Sequence, residues 1–147
     1  MEYEQIAANK HLSGTWAEIT FNGIRIAEAT KITAKVTVNR EEVQTGLNVD
    51  TKPTGLKGEG TLTLVKTYTR FEDVRTEIMK GRDPRGTIIA KLKDPAAEGG
   101  QTERWQIGNV ALSEFGFEWE KGAVVKQETP FTFTPTDMIN LDAINPQ

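Results

Sequence analysis

Residues 17–28 read AEITFNGIRIAE, and the pair Asn22-Gly23 at their centre decides the fold class. Two apolar runs separated by Asn-Gly are the strongest short-range sign of a β-hairpin, because a type I′ turn needs positive φ at both central positions. The register imposed by such a turn pairs Phe21 with Ile24 and Ile19 with Ile26, all on one face. Turn chemistry and apolar patterning thus point independently to the same antiparallel pair.

The alternation continues outward from this hairpin. In KITAKVTVN (31–39), Ile32, Ala34, Val36 and Val38 alternate with Thr33, Lys35 and Thr37, as expected of a strand with one buried face. TLTLVKTY (61–68) alternates again, with Leu62, Leu64 and Tyr68 opposite Thr61, Thr63 and Thr67. Between these two strands lies NREEVQTGLNVDTKPTGLKGEG (39–60), which has no clear period and reads as an extended loop. A structureless connection of that length is uncommon inside a domain and is usually either functional or a sign that the element assignment is wrong. Val43, Leu47, Val49 and Leu56 are dotted along it, and a solvated linker has little use for them.

The period then changes to that of a helix over residues 69–80, with Phe71, Val74 and Ile78 on the core-facing side. Thr69 and Glu72 have capping-box spacing, Gly81 is placed to end the helix in the left-handed conformation, and Pro84 prevents its continuation. Beyond it, GTIIAKLK (86–93) reads as a strand, and TERWQIGNVALSEF (102–115) as a long strand with a bend at Gly108. FGFEWEKGAVVKQETPFTFT (115–134) reads as a further hairpin turning at Lys121-Gly122 and leading to a last strand through Phe131 and Phe133. Residues 135–147 read as a loosely held tail. Seven or eight strands and one helix imply a mainly antiparallel β-barrel or sandwich with a flanking helix, most simply one domain over residues 1–147.

Composition narrows the function. The 147-residue chain contains no cysteine, which removes disulfides, thiolate catalysis and thiolate-bound metals. Its 18 basic and 21 acidic side chains give a formal net charge of −3 and form no blocks, unlike the basic face of a nucleic-acid binder. The most basic stretch, KGRDPRGTIIAKLK (80–93), interleaves Asp83 with its cations and reads as a solvated turn and strand face. The N-terminus lacks a signal-peptide pattern and no apolar run is long enough to cross a membrane, so a cytoplasmic product is expected.

No pattern of catalytic residues emerges. His11 is the only histidine, which excludes histidine metal clusters and histidine-dependent triads by counting. Glu118 and Glu120 alternate with Phe117 and Trp119 and read as a solvated strand face rather than an acid and base pair. TGLKGEGT (54–61) fails the phosphate-loop pattern in spacing and in context, since it leads into a strand. Its glycines read as places where the chain turns or meets another backbone closely. Trp16, Trp105 and Trp119 all fall in apparent strands, where they would fill a barrel interior or line a ligand cavity.

The run VDTKPTGLKGEGTLTLVKTYTRF (49–71), with the helix, GTIIAKLKDP (86–95) and ETPFTFT (128–134), resembles the tail tube proteins of contractile-tailed phages. The resemblance is greatest to the tube protein of PBSX-type phage-like elements, and SGTWAEITFNGIRIAEATKITAKVTVNREEV (13–43) fits the same pattern. It implies a fold shared with the tube component of type VI secretion systems, hexameric rings stacked into a hollow conduit, and no catalytic residue, cofactor or metal. Its implied partners are other copies of the chain and the sheath, baseplate and tail terminator proteins, with DNA as non-specific cargo and no membrane. The implied location is the bacterial host cytoplasm during assembly and then the tail particle.

In this family a long loop or hairpin between early strands reaches adjoining subunits, and its position here corresponds to residues 39–60. Val43, Leu47, Val49 and Leu56 are then expected to be subunit contacts. The alternative is a small-ligand-binding β-barrel in which the same loop is a lid over a cavity near the tryptophans.

Overall fold

A computed structural model of the chain describes residues 8–14 and 17–146. Trp16 and the first residues of the chain lie outside this set. One eight-stranded, antiparallel sheet carries the fold. Its strands are β1 (Ala17–Phe21), β2 (Ile24–Arg25), β3 (Ala29–Thr45), β4 (Asn48–Val65), β5 (Gly86–Leu92), β6 (Glu103–Leu112), β7 (Lys126–Phe133) and β8 (Met138–Asp142). A single helix, α1 (Glu72–Met79), stands between β4 and β5. The strand order is β2-β1-β5-β6-β7-β4-β3, with β8 added alongside β6.

The β1–β2 turn has the expected chemistry, with φ of 51° at Asn22 and 82° at Gly23. Phe21 pairs with Ile24, and the Ile26 N–H donates to Ile19 O at 2.9 Å. Ile19, Phe21 and Ile26 are buried while Ile24, beside the turn, stays largely exposed. The turn is also pinned to β5: Asn22 N–H donates to Thr87 O, and Asn22 Oδ1 accepts the Thr87 N–H, both at 2.9 Å.

The bend expected near Gly108 is a bulge. Ile88 pairs with Ile107 and Gly86 with Val110, so Gly108 and Asn109 together oppose Thr87, and Asn109 has a φ of 52°. Before the bulge β6 lies between β5 and β8; after it, Ala111 and Leu112 pair with β7. This change of neighbour wraps the sheet around a core in which Phe131, Leu62, Leu64, Ile88, Ile107 and Val110 are almost fully buried. Each such side chain contributes about 1.5–3 kcal/mol relative to exposure.

The helix is shorter at its N-terminus than its sequence pattern predicts. Phe71 occupies the N-cap position with a φ of 64°, and no side chain caps the helix. The Thr69–Glu72 capping box gives way because the Phe71 ring is drawn into the core, edge-on to Phe21 at 5.2 Å. Burial of an aromatic ring outweighs the roughly 1–2 kcal/mol of a left-handed non-glycine residue. Val74 is half-buried and packs against the core; Ile78 is half-buried. At the other end, Gly81 (φ 82°) donates to Ile78 O and Arg82 to Glu77 O, which is a Schellman motif.

Three segments differ from the sequence reading. Residues 39–60 are not a loop: they complete an antiparallel hairpin of β3 and β4 that pairs without interruption as far as Thr45 and Asn48, apart from one bulge. Of its two turn residues, Gly46 has positive φ (62°) and Leu47 does not, the pattern of a type II′ turn. Residues 113–125 form no strand, so Phe117 and Trp119 are not part of a hairpin, although Gly122 does turn the chain with a φ of 85°. Residues 135–147 are not a loose tail as far as they are described. Pro135–Asp137 form a 3-10 turn, β8 pairs with β6, and Asn145 exchanges two hydrogen bonds with Gln101.

Candidate assembly surface

Strand β7 ends its pairing with β4 at Phe133 and Gly58, opposite Val36 on β3. Beyond that level β3 and β4 have only each other, and they continue for roughly 30 Å at about 3.3 Å per residue. A two-stranded ribbon of this kind is marginally stable in water unless something packs on it. Pro53 is tolerated within β4 because at this level the strand has no second neighbour needing its N–H.

Register decides which side chains the arm presents together. The half-buried face of β3, through Ile32, Ala34 and Val36, continues as Val38, Arg40, Glu42 and Gln44. Asn39 pairs with Gly55 but Arg40 pairs with Pro53, leaving Thr54 as an extra residue, its hydroxyl donating to Asn39 O at 3.2 Å. This bulge shifts the β4 alternation by one, so Leu56, Pro53 and Val49 all fall on the face of Val38. Without it, Asp50 and Lys52 would stand there instead.

The arm therefore extends the core face past the point where this chain can cover it, with Val38, Leu56, Pro53 and Val49 as its apolar groups and Arg40, Glu42 and Gln44 between them. Val38, Leu56 and Val49 are 39%, 50% and 64% exposed, and Leu47 at the tip is fully exposed. Of the four residues singled out from the sequence, the structure brings Val49 and Leu56 to one face, sets Leu47 at the tip and places Val43 on the opposite face beside Asp50. Val38 shares the face of Val49 and Leu56 and was hidden from sequence reasoning, because it looked like the last core position of a strand.

The end of the β3–β4 hairpin away from the arm is fixed by a charged clamp. Arg70, just before α1, donates from Nε and from its terminal nitrogen to the two carboxylate oxygens of Glu28, at 2.5 and 3.1 Å, and Glu28 is almost buried. The guanidinium hydrogen bonds hold the Glu28 carboxyl below its ordinary range, and the same bonds raise the Arg70 pKa. The Glu28 carbonyl also accepts the Val65 N–H at 3.0 Å, tying the start of β3 to the end of β4.

A second surface lies at the far end of β4. Residues 113–125 fold back over the solvent side of β7 and β4 and leave an open cleft of about 680 Å³ with a mixed lining, apolar at Phe115, Phe117, Trp119 and Val124 and charged at Glu114, Glu118, Glu120, Glu128, Lys66 and Lys126. The rings of Phe117 and Trp119 meet at 4.9 Å with their planes tilted by 42°, yet these residues are 81% and 67% exposed. Trp105 is half-buried on β6, donating from Nε1 to Glu103 Oε1 at 2.8 Å. The arm leaves β4 at Gly58, whereas the cleft beside Trp119 lies towards the Val65 end of the strand, so the arm does not cover that cleft.

No group of three or more His, Asp or Glu side chains able to hold a metal ion occurs among the described residues. His11 is exposed in the N-terminal segment. Among the described residues no helix is long and apolar enough to cross a membrane.

A family profile described as phage tail tube protein matches residues 4–140. The chain belongs to that family. Comparison with curated proteins returns no significant match. The tail tube protein is similar in fold to a chain in the sheath-tube complex of an extracellular contractile injection system, PVC, in its extended state (TM-score 0.71, 13% identity, covering 92% of this chain and 95% of that one). It is equally similar to a chain in the tube-terminating cap of the anti-feeding prophage (0.71, 13%, 95% and 97%), and less so to one in the baseplate of that particle (0.57, 10%, 85% and 90%). The tail tube protein is a structural protein and not an enzyme.

Proposed function

We propose that this tail tube protein is the subunit of a PBSX-type contractile tail, in which copies close into hexameric rings and the rings stack into a hollow conduit. The whole chain, 1–147, is one tube domain. The observation that carries this reading is the arm: a hairpin that leaves the sheet for roughly 30 Å with uncovered apolar groups has no purpose in a monomer. Head-to-tail contacts of such arms generate rings where the rotation closes and filaments where it does not.

Val49 and Leu56 are the anchors along the arm and Leu47 the anchor at its tip, with Val43 making contact from the other face. Sheath, baseplate and tail terminator proteins are the further partners, the similar folds found in sheath-tube, cap and baseplate particles being in keeping with this. DNA is non-specific cargo, and assembly takes place in the bacterial host cytoplasm.

Negative-stain microscopy of the concentrated protein tests the reading, with rings or tubes expected. Because Leu47 and Val49 are exposed, Leu47→Asp with Val49→Asp is expected to change monomer stability by less than about 0.5 kcal/mol per site. The same pair of changes is expected to abolish assembly. Normal tubes from this variant would remove Leu47 and Val49 as anchors.

A further inference from the structure

We infer that the cleft beneath residues 113–125 is the receptor for the arm tip of a neighbouring copy, Leu47 and Val49 of one chain packing against Phe117 and Trp119 of the next. The inference rests on the subunit reading above and adds to it the surface on which the arm lands.

Three observations carry it. The molecule exposes a protruding apolar tip at Leu47 and a concave cleft whose mixed lining carries the exposed apolar groups Phe117, Trp119 and Val124. Both are costly to leave in water, and isolated soluble chains rarely expose patches of this kind. They also lie at opposite ends of one strand. β4 runs from Asn48 at the arm tip to Val65, which pairs with Lys126 at the mouth of the cleft. Over its 18 residues that separation is roughly 55 Å, so an arm cannot reach the cleft of its own chain.

Two complementary surfaces at opposite ends of one strand define a heterologous contact, which closes into a ring or continues as a filament according to its rotation. A second copy is thereby favoured over a different protein as the occupant, since every copy supplies both halves. Phe117 and Trp119 also provide a rigid aromatic platform of the type that dominates contact energetics.

The absence of cysteine makes the test direct. Under assembling conditions, the full-length chain carrying both Leu47→Cys and Trp119→Cys is expected to oxidise to a ladder of covalent dimers, trimers and longer species. Neither single variant is expected to cross-link, because position 47 meets position 119 and not itself, and an equimolar mixture of the two singles is expected to give the mixed dimer. Both substitutions spare the fold because Leu47 and Trp119 are exposed, and an unchanged melting temperature checks this. As a second variant, Trp119→Glu is expected to lose assembly while melting like the wild type.

A double variant that assembles but gives no ladder would overturn the inference and leave the subunit reading intact. Trp119→Glu chains that form normal tubes would do the same, and would leave the cleft to a different protein. Wild-type protein that stays monomeric at every concentration, with no ladder, would overturn both.

Discussion

Gly60 shows how closely a tail tube core is specified at a single residue. It sits in β4 between β3 and β7, and a Cβ there would overlap Thr33 O and approach the Phe131 ring to 2.6 Å. Gly58 is similarly confined, by the Phe133 ring at 2.7 Å. Replacing glycine by alanine ordinarily stabilises a chain by about 0.4–1 kcal/mol through the unfolded state. Here the clash dominates, since the obstacle at Gly60 includes backbone. Gly60→Ala is therefore expected to destabilise by about 1–3 kcal/mol in urea unfolding, the range for overpacked cores; a gain in stability would show that β3 yields easily.

The Glu28–Arg70 pair makes a second prediction at the residue scale. Its hydrogen bonds lower the Glu28 pKa from the ordinary 4.5. A depressed carboxylate contributes its stability in full above the unfolded value and loses it as pH falls through the folded one. Glu28→Gln is accordingly expected to lower the melting temperature most above pH 4.5, and the gap from wild type to shrink below it. A gap that stays constant down to strongly acidic pH would mean that packing rather than charge holds the clamp.

Among the elements, the arm and the body are separable. Every pairing of the body ends at or before Gly58, and the outer part of the arm touches only itself. Replacing residues 40–54 with Asn-Gly, which joins Asn39 to Gly55 through a type I′ turn, is expected to keep the melting temperature and the native circular dichroism. The variant is expected to form no tubes; assembly by it would place the essential contacts elsewhere.

The same division explains what was legible in the sequence. Where one strand face is buried, as at Ile32, Ala34 and Val36 or at Leu62 and Leu64, alternation appears and the strands were evident. Both faces of the arm are open to solvent in one chain, so Val43, Leu47 and Val49 follow no period and a regular hairpin looked like a loop. The type II′ turn at Gly46-Leu47 was the available signal, overshadowed by the bulge that shifts the alternation at Thr54. Phe117 and Trp119 misled in the opposite sense. They alternate like a strand, yet no partner strand lies beside them, and their spacing fits the tilted ring pair. The apolar residues Ile139 and Leu141 of β8 are likewise exposed, and their i, i+2 spacing was the one hint that the tail is a strand.

For the whole molecule, the distribution of exposed apolar side chains implies that folding and assembly are linked. The arm, the 113–125 cleft and β8 each leave large apolar groups in water. Covering them in a neighbour's contact stabilises only the native state, and such binding raises apparent stability by mass action. The melting temperature of the wild-type protein is thus expected to rise with protein concentration once rings or tubes form. The Leu47→Asp/Val49→Asp variant is expected to melt at one temperature throughout, equal to that of dilute wild type. Scanning calorimetry across the assembly threshold measures both. A wild-type melting temperature that does not move while tubes accumulate would mean that the contacts add too little to matter, and that the arm orients neighbours without holding them. The contrast between the two chains isolates the apolar tip, because the body of the sheet, its core and the Glu28–Arg70 clamp are the same in each.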